Sequence, residues 1–139
     1  MMCIFCMIIE GELPSYKVYE DEKTLAFLDI NPVRDGHVLL VPKRHEQFVE
    51  KLSQEYHDAL FENMRRLVKP VQDAFEASAS NIIINNGLNA GQIVPHVHVH
   101  IIPRPKPIGR NFFTTTSGME KNKEYFEEIA EKIREKIRQ

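Results

Sequence analysis

Three histidines stand at every second position near the start of the chain's final third. His96, His98 and His100 alternate with valines, and an isoleucine follows the last of them. Successive side chains of a β-strand point to opposite faces, so this spacing places the imidazoles on one face and the apolar residues against a core. With six histidines among 139 residues, a chance H-x-H-x-H pattern has a probability of roughly 0.01, and the pattern therefore needs a cause.

Imidazole suits two kinds of chemistry, and either would explain such a face. It is a common protein ligand for zinc, so three neighbouring imidazoles predict a metal site. It is also a nucleophile and an acid or base near neutral pH, so the same residues predict covalent or acid–base catalysis. A half-exposed strand that carries histidines on its wet face is the third interpretation.

Both cysteines of the chain fall in the motif Cys-Ile-Phe-Cys at residues 3–6. In the cytosol such a pair is more often a metal-ligand pair or a redox pair than a structural disulfide. Metal binding is the favoured interpretation, and it requires two further ligands because structural zinc sites hold four. Redox activity and inert thiols remain the alternatives.

The composition sets the outer limits on function. A chain of 139 residues with 42% hydrophobic and 27% charged residues suits a single domain. No apolar run approaches the ~20 residues of a membrane span, and the first residues lack the basic region of a signal peptide. We therefore expect a cytoplasmic protein with no membrane partner. A net charge of −2 argues against nonspecific nucleic-acid binding, but a small nucleotide needs only a few local donors.

Short connections between apolar segments predict an antiparallel sheet. Residues 17–20, 24–30 and 37–42 are typical of strands, and such closely spaced strands form a meander. A fourth strand at residues 81–85 leads through a glycine-containing loop to the histidine strand. A helix of one or two turns is expected before Pro14.

Two amphipathic helices are expected to cover this sheet. Ser53 suits the N-cap of the first, and apolar residues then recur at helical spacing, at Leu60, Met64, Leu67, Val71 and Phe75. Pro70 falls inside this series and is expected to kink or split the helix near Arg66. A Ser-x-x-Glu capping box at residues 117–120 predicts the start of a C-terminal helix. His57, near the start of the first helix, is given no role.

The alternating histidines also match a family signature. Residues 96–102 resemble the His-φ-His-φ-His-φ-φ signature, with φ apolar, of the histidine triad (HIT) family of nucleotide hydrolases and transferases. Further similarities follow the family's order over almost the whole chain, at residues 3–6, 26–30, 36–45, 85–87 and 91–92. The resemblance implies one HIT domain over residues 1–139. Its α+β fold would have about five antiparallel strands, a long central helix and a C-terminal helix, and the protein would be a homodimer.

The resemblance assigns catalysis to four side chains. It implies that His98 attacks the α-phosphorus of a nucleotide and forms a covalent nucleotidyl-histidine, which water or another acceptor then opens. A neutral imidazole suits this attack because the negative phosphate repels anionic nucleophiles. His100 would donate to the phosphate oxygens as charge builds up, and Gln92 would be a further donor. His37 matches a fourth histidine that the family places near the nucleophile.

The implied substrate is a small nucleotide with a purine base, and adenine is the base expected. Asp29 would accept hydrogen bonds from the ribose hydroxyls, and Asn85 would bind phosphate or ribose. Phe27 and Ile30 are candidates for an apolar slot around the base, although both are equally well explained as core residues. Asp29 also has a simpler interpretation, as the residue that begins the turn at residues 31–32.

The same resemblance suggests a purpose for the cysteine motif. In family members with Cys-x-x-Cys, a zinc ion is held by both cysteines, by the histidine after Pro-Lys-x and by the first histidine of the triad. The corresponding residues here are Cys3, Cys6, His45 and His96. One zinc ion per chain would then have no open coordination position, which is typical of a structural site. The other two histidines of the strand are left for phosphate.

One position departs from the family pattern. Many relatives carry Ser or Thr after the Gly-Gln pair, whose hydroxyl can protonate an amine leaving group, whereas this chain has Ile93. We therefore predict release of a nucleoside monophosphate from a dinucleoside polyphosphate, a phosphoramidate or a similar conjugate, with leaving groups that need little protonation favoured. Two alternatives stay open. One is a nucleotide-binding sensor or adaptor with incidental turnover, and the other is a metal hydrolase ligated by His96, His98 and His100.

Overall fold

Three α-helices and five strands are the main elements of the part of the chain that the computed structural model describes, residues 3–109 and 121–139. In chain order they are α1 (Ile4–Ile9), β1 (Lys17–Glu20), β2 (Thr24–Leu28), β3 (Val38–Pro42), α2 (Gln54–Asp73), β4 (Ser80–Ile83), β5 (Val99–Pro103) and α3 (Lys123–Ile137). The predicted capping box at residues 117–120 lies outside the described ranges. The N-cap of α3 is Asn122, whose side chain accepts a hydrogen bond from the N–H of Tyr125.

The five strands pair antiparallel in one sheet, in the order β1-β2-β3-β5-β4. Short turns join the first three strands into the predicted meander, and α2 then carries the chain to the far edge. His100 of β5 pairs with Leu39 on one side and with Ile83 on the other. The α+β fold predicted from the sequence is confirmed. No helix in the two described ranges is long and apolar enough for a membrane span.

Alternation along the strands divides the core into two clusters, one on each face of the sheet. The first cluster packs Val97, Val99 and Ile101 with the apolar sides of α2 and α3. The second packs Phe5 and Ile8 of α1 against β2 and β3. The three alternating histidines therefore belong to the face that α1 covers, as the period of two predicts.

The histidine strand is shorter than predicted. β5 begins at Val99, so His96 and His98 lie in the irregular segment before it. The neighbouring strand β3 stops at Pro42, whose nitrogen has no hydrogen to donate to a ladder. The N–H of the residue after His96 donates to the carbonyl of Glu46 (2.7 Å) instead. The segment keeps its alternation although it leaves the sheet.

Helix α2 begins as predicted and continues past its proline. The hydroxyl of Ser53 accepts a hydrogen bond from the N–H of Tyr56 (3.4 Å). Pro70 does not split the helix, which runs unbroken over Gln54–Asp73. The expectation of a split was wrong. Pro70 removes only one hydrogen bond, near the helix end, and the burial of Leu67 and Val71 on either side holds the helix together.

A polar network that the sequence did not reveal joins α2 to the turn between β1 and β2. The amide Nδ2 of Asn63 donates to Oδ2 of Asp21 (2.8 Å) and to Oγ1 of Thr24 (2.7 Å). Burial alone would raise the pKa of Asp21. Hydrogen bonds from Asn63, the N–H of Thr24 and the Tyr19 hydroxyl outweigh that effect and lower the pKa to about 2. The network is a structural link between the sheet and its central helix.

We predict that Asn63→Ala lowers the free energy of unfolding by about 1–3 kcal/mol at pH 7, because it removes the buried donor to Oγ1 of Thr24 and one of the two donors to Oδ2 of Asp21. The folded-state pKa of Asp21 lies below its ordinary 3.8. Its ionised side chain therefore stabilises the fold fully above about pH 4, and this contribution is lost as the pH falls toward 2. The variant should lose less stability than the wild type over that acid range. Urea denaturation at pH 7, 4 and 2.5 measures both effects, and equal acid losses would contradict the assignment.

Candidate active site and metal-binding cluster

The imidazole of His98 is held in one tautomer by a neighbouring backbone group. Its Nδ1 lies 2.7 Å from the carbonyl oxygen of His96. A carbonyl can only accept, so Nδ1 carries the proton and Nε2 keeps its lone pair. Burial lowers the pKa of His98 below its ordinary value, which keeps the ring neutral at pH 7. This is the state that a nucleophilic imidazole requires, with its ring oriented and one nitrogen unprotonated.

A chain of hydrogen bonds fixes the proton of His100 in the opposite way. The backbone N–H of Val33 donates to Nδ1 of His37 (3.0 Å), so the proton of His37 is on Nε2. That nitrogen lies 2.9 Å from Nδ1 of His100 and donates to it. The proton of His100 is then on its own Nε2, which is buried and has no hydrogen-bond partner within the described residues. A buried donor left unpaired costs about 1–3 kcal/mol, so this group is a candidate for binding a ligand oxygen.

Burial also keeps the other two imidazoles neutral. It lowers the pKa of His37 to about 3 and that of His100 to about 4, and the neighbouring histidines add to both shifts. The ring centroids of His98 and His100 lie 5.0 Å apart. The pair therefore places a nitrogen lone pair near an N–H donor. This arrangement can attack an electrophilic centre and stabilise the negative charge that develops on it.

Four side chains from three parts of the chain converge on one small cluster. The sulfurs of Cys3 and Cys6 each lie 3.6 Å from Nδ1 of His96, and the sulfur of Cys6 lies 3.4 Å from Nδ1 of His45. Zinc bonds of about 2.3 Å to sulfur and 2.0 Å to nitrogen place tetrahedral ligands about 3.5 Å apart. Nε2 of His96 donates to the carbonyl of Pro42 (2.9 Å), so the lone pair of Nδ1 is directed at the cysteines.

The chemistry of this donor set fits a divalent cation. The four ligand atoms all lie within 4.8 Å of one another. Burial and the neighbouring Cys3 raise the pKa of Cys6 to about 11, so the Cys6 thiol ionises near neutral pH only when a cation balances its charge. A redox pair or inert thiols would not explain why His45 and His96 lie beside the two sulfurs. The four residues that the resemblance implied are thus the four that the structure brings together.

A second group of possible ligands, formed by Asp29, His37 and His100, also has its ligand atoms within 4.8 Å of one another. Its hydrogen bonds do not favour a metal. Nε2 of His37 carries a proton, and moving that proton to Nδ1 would set it against the N–H of Val33. The geometry is that of a hydrogen-bond relay.

The three alternating histidines do not converge on one ion. His96 belongs to the cysteine cluster and His100 to the group with Asp29, while His98 belongs to neither of the groups found among the described residues. The alternative of a metal hydrolase ligated by all three is therefore contradicted.

Asp29 combines the two interpretations that the sequence allowed. Its Oδ1 accepts a hydrogen bond from the N–H of Asn31 (2.8 Å), which begins the turn. Its Oδ2 lies 3.6 Å from Nε2 of His37 and so faces the catalytic candidates. Burial raises the pKa of Asp29. One carboxylate oxygen remains for a ligand.

Gln92 is buried and holds the loop before the histidines. Its Oε1 accepts from the N–H of Gly87 (2.8 Å), and its Nε2 donates to the carbonyl of Gln47 (2.9 Å). Only the second hydrogen of Nε2 remains for the predicted donation from Gln92 to phosphate. Asn85 lies near Gly91, in the same loop.

The two candidates for the base slot differ in exposure. Phe27 is 3% exposed and packs edge-on against Phe5, with ring centroids 5.5 Å apart, so it is a core residue. Ile30 is 66% exposed and keeps an apolar surface for a ligand. Phe5, whose ring centroid lies 5.0 Å from that of His98, was not predicted from the sequence. Its place between the two cysteines was the available signal, because ligands on both sides restrict where it can point.

The model of the HIT domain matches residues 10–107 of the chain. The chain belongs to the histidine triad family. The adenosine 5′-monophosphoramidase of Schizosaccharomyces pombe is 39% identical to it over 137 residues, which cover 96% of this chain and all of the yeast protein. The adenylylsulfatase of Arabidopsis thaliana is 39% identical over 102 residues, which cover 73% of this chain and 52% of the plant protein.

A solved structure agrees with this HIT protein over almost its whole length. The zinc-bound histidine triad protein of Mycobacterium smegmatis superposes with a TM-score of 0.85 and 30% sequence identity, covering 99% of this chain and 94% of that one. The predicted family and the HIT fold are confirmed. The names of the two relatives confirm that the chain belongs to a family of enzymes.

Proposed function

We propose that this HIT protein hydrolyses adenine nucleotides at the α-phosphate, or transfers their nucleotidyl group to another acceptor, through a covalent intermediate on His98. The observation that carries the proposal is the pair of opposite tautomers. A lone pair on Nε2 of His98 lies near a buried, unpaired N–H on Nε2 of His100. The relatives named adenosine 5′-monophosphoramidase and adenylylsulfatase support adenylated compounds as the substrate class.

In the first step, Nε2 of His98 bonds to the α-phosphorus and the bond from phosphorus to the leaving group breaks, so the leaving group departs with the electron pair. The imidazole keeps its Nδ1 proton, and the His96 carbonyl stabilises the positive charge that the ring acquires. His100 donates its Nε2 hydrogen to a phosphate oxygen, with His37 fixing its tautomer. In the second step, an oxygen of water or of another acceptor bonds to phosphorus and releases its proton to solvent, while the P–N bond breaks and its electron pair returns to Nε2 of His98.

Substrate binding is assigned to Asp29, whose carboxylate faces this centre, and to three residues that the family resemblance implies. Asp29 would accept from the ribose hydroxyls through Oδ2, Ile30 would pack on the base, Gln92 would contact the phosphates, and Asn85 would contact phosphate or ribose. Ile93 has no hydroxyl and its side chain is 90% exposed. We therefore propose that leaving groups needing little protonation are favoured over amines.

We also propose a structural zinc ion, one per chain, held by Cys3, Cys6, His45 and His96. When bound, it would join α1 to the segment that carries the nucleophile, because two ligands come from the start of α1, one follows β3 and one lies in the segment before β5. The single HIT domain over residues 1–139, the homodimer and the cytoplasmic location expected from the sequence stay predictions.

We predict that His98→Ala lowers kcat on adenylated substrates by at least about 10³-fold, because it removes the nucleophile. Acid quenching during turnover of an α-³²P-labelled adenylated compound should leave label on the wild-type protein and none on the variant. The control is His57→Ala, since His57 is an exposed histidine on α2 and its loss should change neither result. Equal labelling of the wild type and His98→Ala would refute the assignment, and tight binding without labelling would favour a sensor.

For the metal site, we predict one zinc ion per purified wild-type chain. Cys3→Ser should lose the metal and melt at a lower temperature, because α1 loses its attachment to the sheet. His98→Ala should keep the full metal content, since His98 is not among the converging ligands. Metal analysis by plasma mass spectrometry, with thermal melts, measures both. Retention of zinc by Cys3→Ser, or its loss from His98→Ala, would exclude the assigned ligand set.

A further inference from the structure

The β2–β3 loop, residues 29–37, supplies two groups to the candidate active site. One is the carboxylate of Asp29, and the other is the backbone N–H of Val33, which donates to Nδ1 of His37 (3.0 Å). That hydrogen bond selects the tautomer in which His37 donates to His100. The position of Val33 therefore determines whether Nε2 of His100 carries the hydrogen proposed for phosphate.

The loop is shaped by its own backbone and contacts the rest of the protein beyond the sheet through Asp35 and Gly36. The N–H of Asp29 donates to the carbonyl of His37 (3.0 Å), which closes the base of the loop. Gly36 has a φ of +89°, and a Cβ at this position would lie 2.3 Å from the ring of Phe75. Only glycine allows the backbone to approach that ring so closely.

The contact of Asp35 joins the loop to α3. The hydroxyl of Tyr125, in the first turn of α3, donates to Oδ1 of Asp35. Burial and this hydrogen bond raise the pKa of Tyr125 above its ordinary value, so the hydroxyl keeps its proton at neutral pH. Tyr125 also lines one narrow cleft together with Asp29, Gly36 and His37. Its side chain therefore lies directly beside the part of the loop that serves the site.

Helix α3 is a firm support for this contact. The ring of Phe126, the next residue, stacks on that of Tyr16 with centroids 4.9 Å apart. Phe126, Ile129 and Ile133 are all buried in the larger apolar cluster, against α2 and the sheet. The first turn that carries Tyr125 is thus fixed by packing that does not involve the loop.

We infer that Tyr125 is a positioning residue for the reaction, because its hydroxyl holds Asp35 and with it the β2–β3 loop. A loop held in this way keeps the Val33 N–H on Nδ1 of His37. His100 then keeps the Nε2 hydrogen proposed for phosphate. The inference rests on the function proposed above and extends it to α3, a helix that carries none of the residues assigned to the site.

A pair of matched substitutions separates this role from simple stability. Tyr125→Phe removes the hydroxyl and keeps the ring. Tyr19→Phe is the control, because the Tyr19 hydroxyl donates to Oδ2 of Asp21 (2.9 Å) in the network between α2 and the turn after β1. Each variant loses one hydrogen bond from a tyrosine to an aspartate, but only Tyr125→Phe alters a contact of the β2–β3 loop. Thermal melts establish that both are folded.

Amide hydrogen exchange by NMR on the full chain tests the hold on the loop without any substrate. The Val33 N–H should exchange about two- to tenfold faster in Tyr125→Phe, the range that corresponds to one hydrogen bond. Exchange is compared with that of the buried Leu40 in β3, so that global unfolding cancels. In Tyr19→Phe the ratio of the two exchange rates should equal that of the wild type.

Rapid-quench kinetics with an α-³²P-labelled adenylated compound in single turnover tests the effect on the reaction. Tyr125→Phe should slow formation of the labelled histidine about two- to tenfold, while Tyr19→Phe should label at the wild-type rate. Asp35→Ala should cause a similar slowing, and the double variant should be no slower than Asp35→Ala, because both changes break the same contact. If Tyr125→Phe does not fold, Asp35→Ala replaces it in both experiments.

Wild-type rates of exchange and labelling in folded Tyr125→Phe would overturn the inference. Equal effects of Tyr19→Phe, or additive slowing in the double variant, would also overturn it. A wild-type protein that acquires no label overturns the proposed function, and the catalytic role of Tyr125 with it. That result is distinct from normal labelling in both the wild type and Tyr125→Phe, which overturns the inference alone.

Discussion

The hydrogen bond from Nδ1 of His98 to the backbone carbonyl of His96 is the constraint on which the rest of the site depends. It decides which nitrogen of the central imidazole carries the lone pair. The residue that supplies the carbonyl also directs its own ring at the two cysteines. His96 therefore orients the nucleophile through its main chain and contributes to the metal-binding cluster through its side chain.

Backbone groups determine, directly or through one neighbouring ring, which ring nitrogen carries the proton in His37, His96, His98 and His100. The His96 carbonyl sets the tautomer of His98, the Val33 N–H sets that of His37 and through it that of His100, and the Pro42 carbonyl sets that of His96. Backbone amides do not titrate near neutral pH, so the arrangement does not depend on a balance of charges. The same proline ends β3, which lets the histidine segment leave the ladder just where the two sites meet.

The fold followed from the sequence because periodicity reports which face of an element is buried. The spacing of two in the histidine segment proved correct, and so did the spacing of three to four in α2 as far as Val71, whereas Phe75 lies beyond the end of that helix. Periodicity could not predict which ring nitrogens carry protons, since that depends on contacts such as the one between His96 and Pro42, which are 54 residues apart. Periodicity also could not predict the exposure of the two candidates for the base slot. Phe27 and Ile30 are both apolar and close in sequence, yet only Ile30 is exposed, because the strand ends between them.

The tautomers of His98 and His100 can be observed directly by long-range ¹H–¹⁵N correlation NMR of the imidazole rings at neutral pH. The account predicts that His98 is protonated on Nδ1 with a bare Nε2, and that His100 is protonated on Nε2 with a bare Nδ1. Assignment of the His98 proton to Nε2 would contradict it, since the lone pair would then point at a carbonyl and could not reach phosphorus. Assignment of the His100 proton to Nδ1 would also contradict it, since Nε2 of His100 would then have no hydrogen to donate to phosphate.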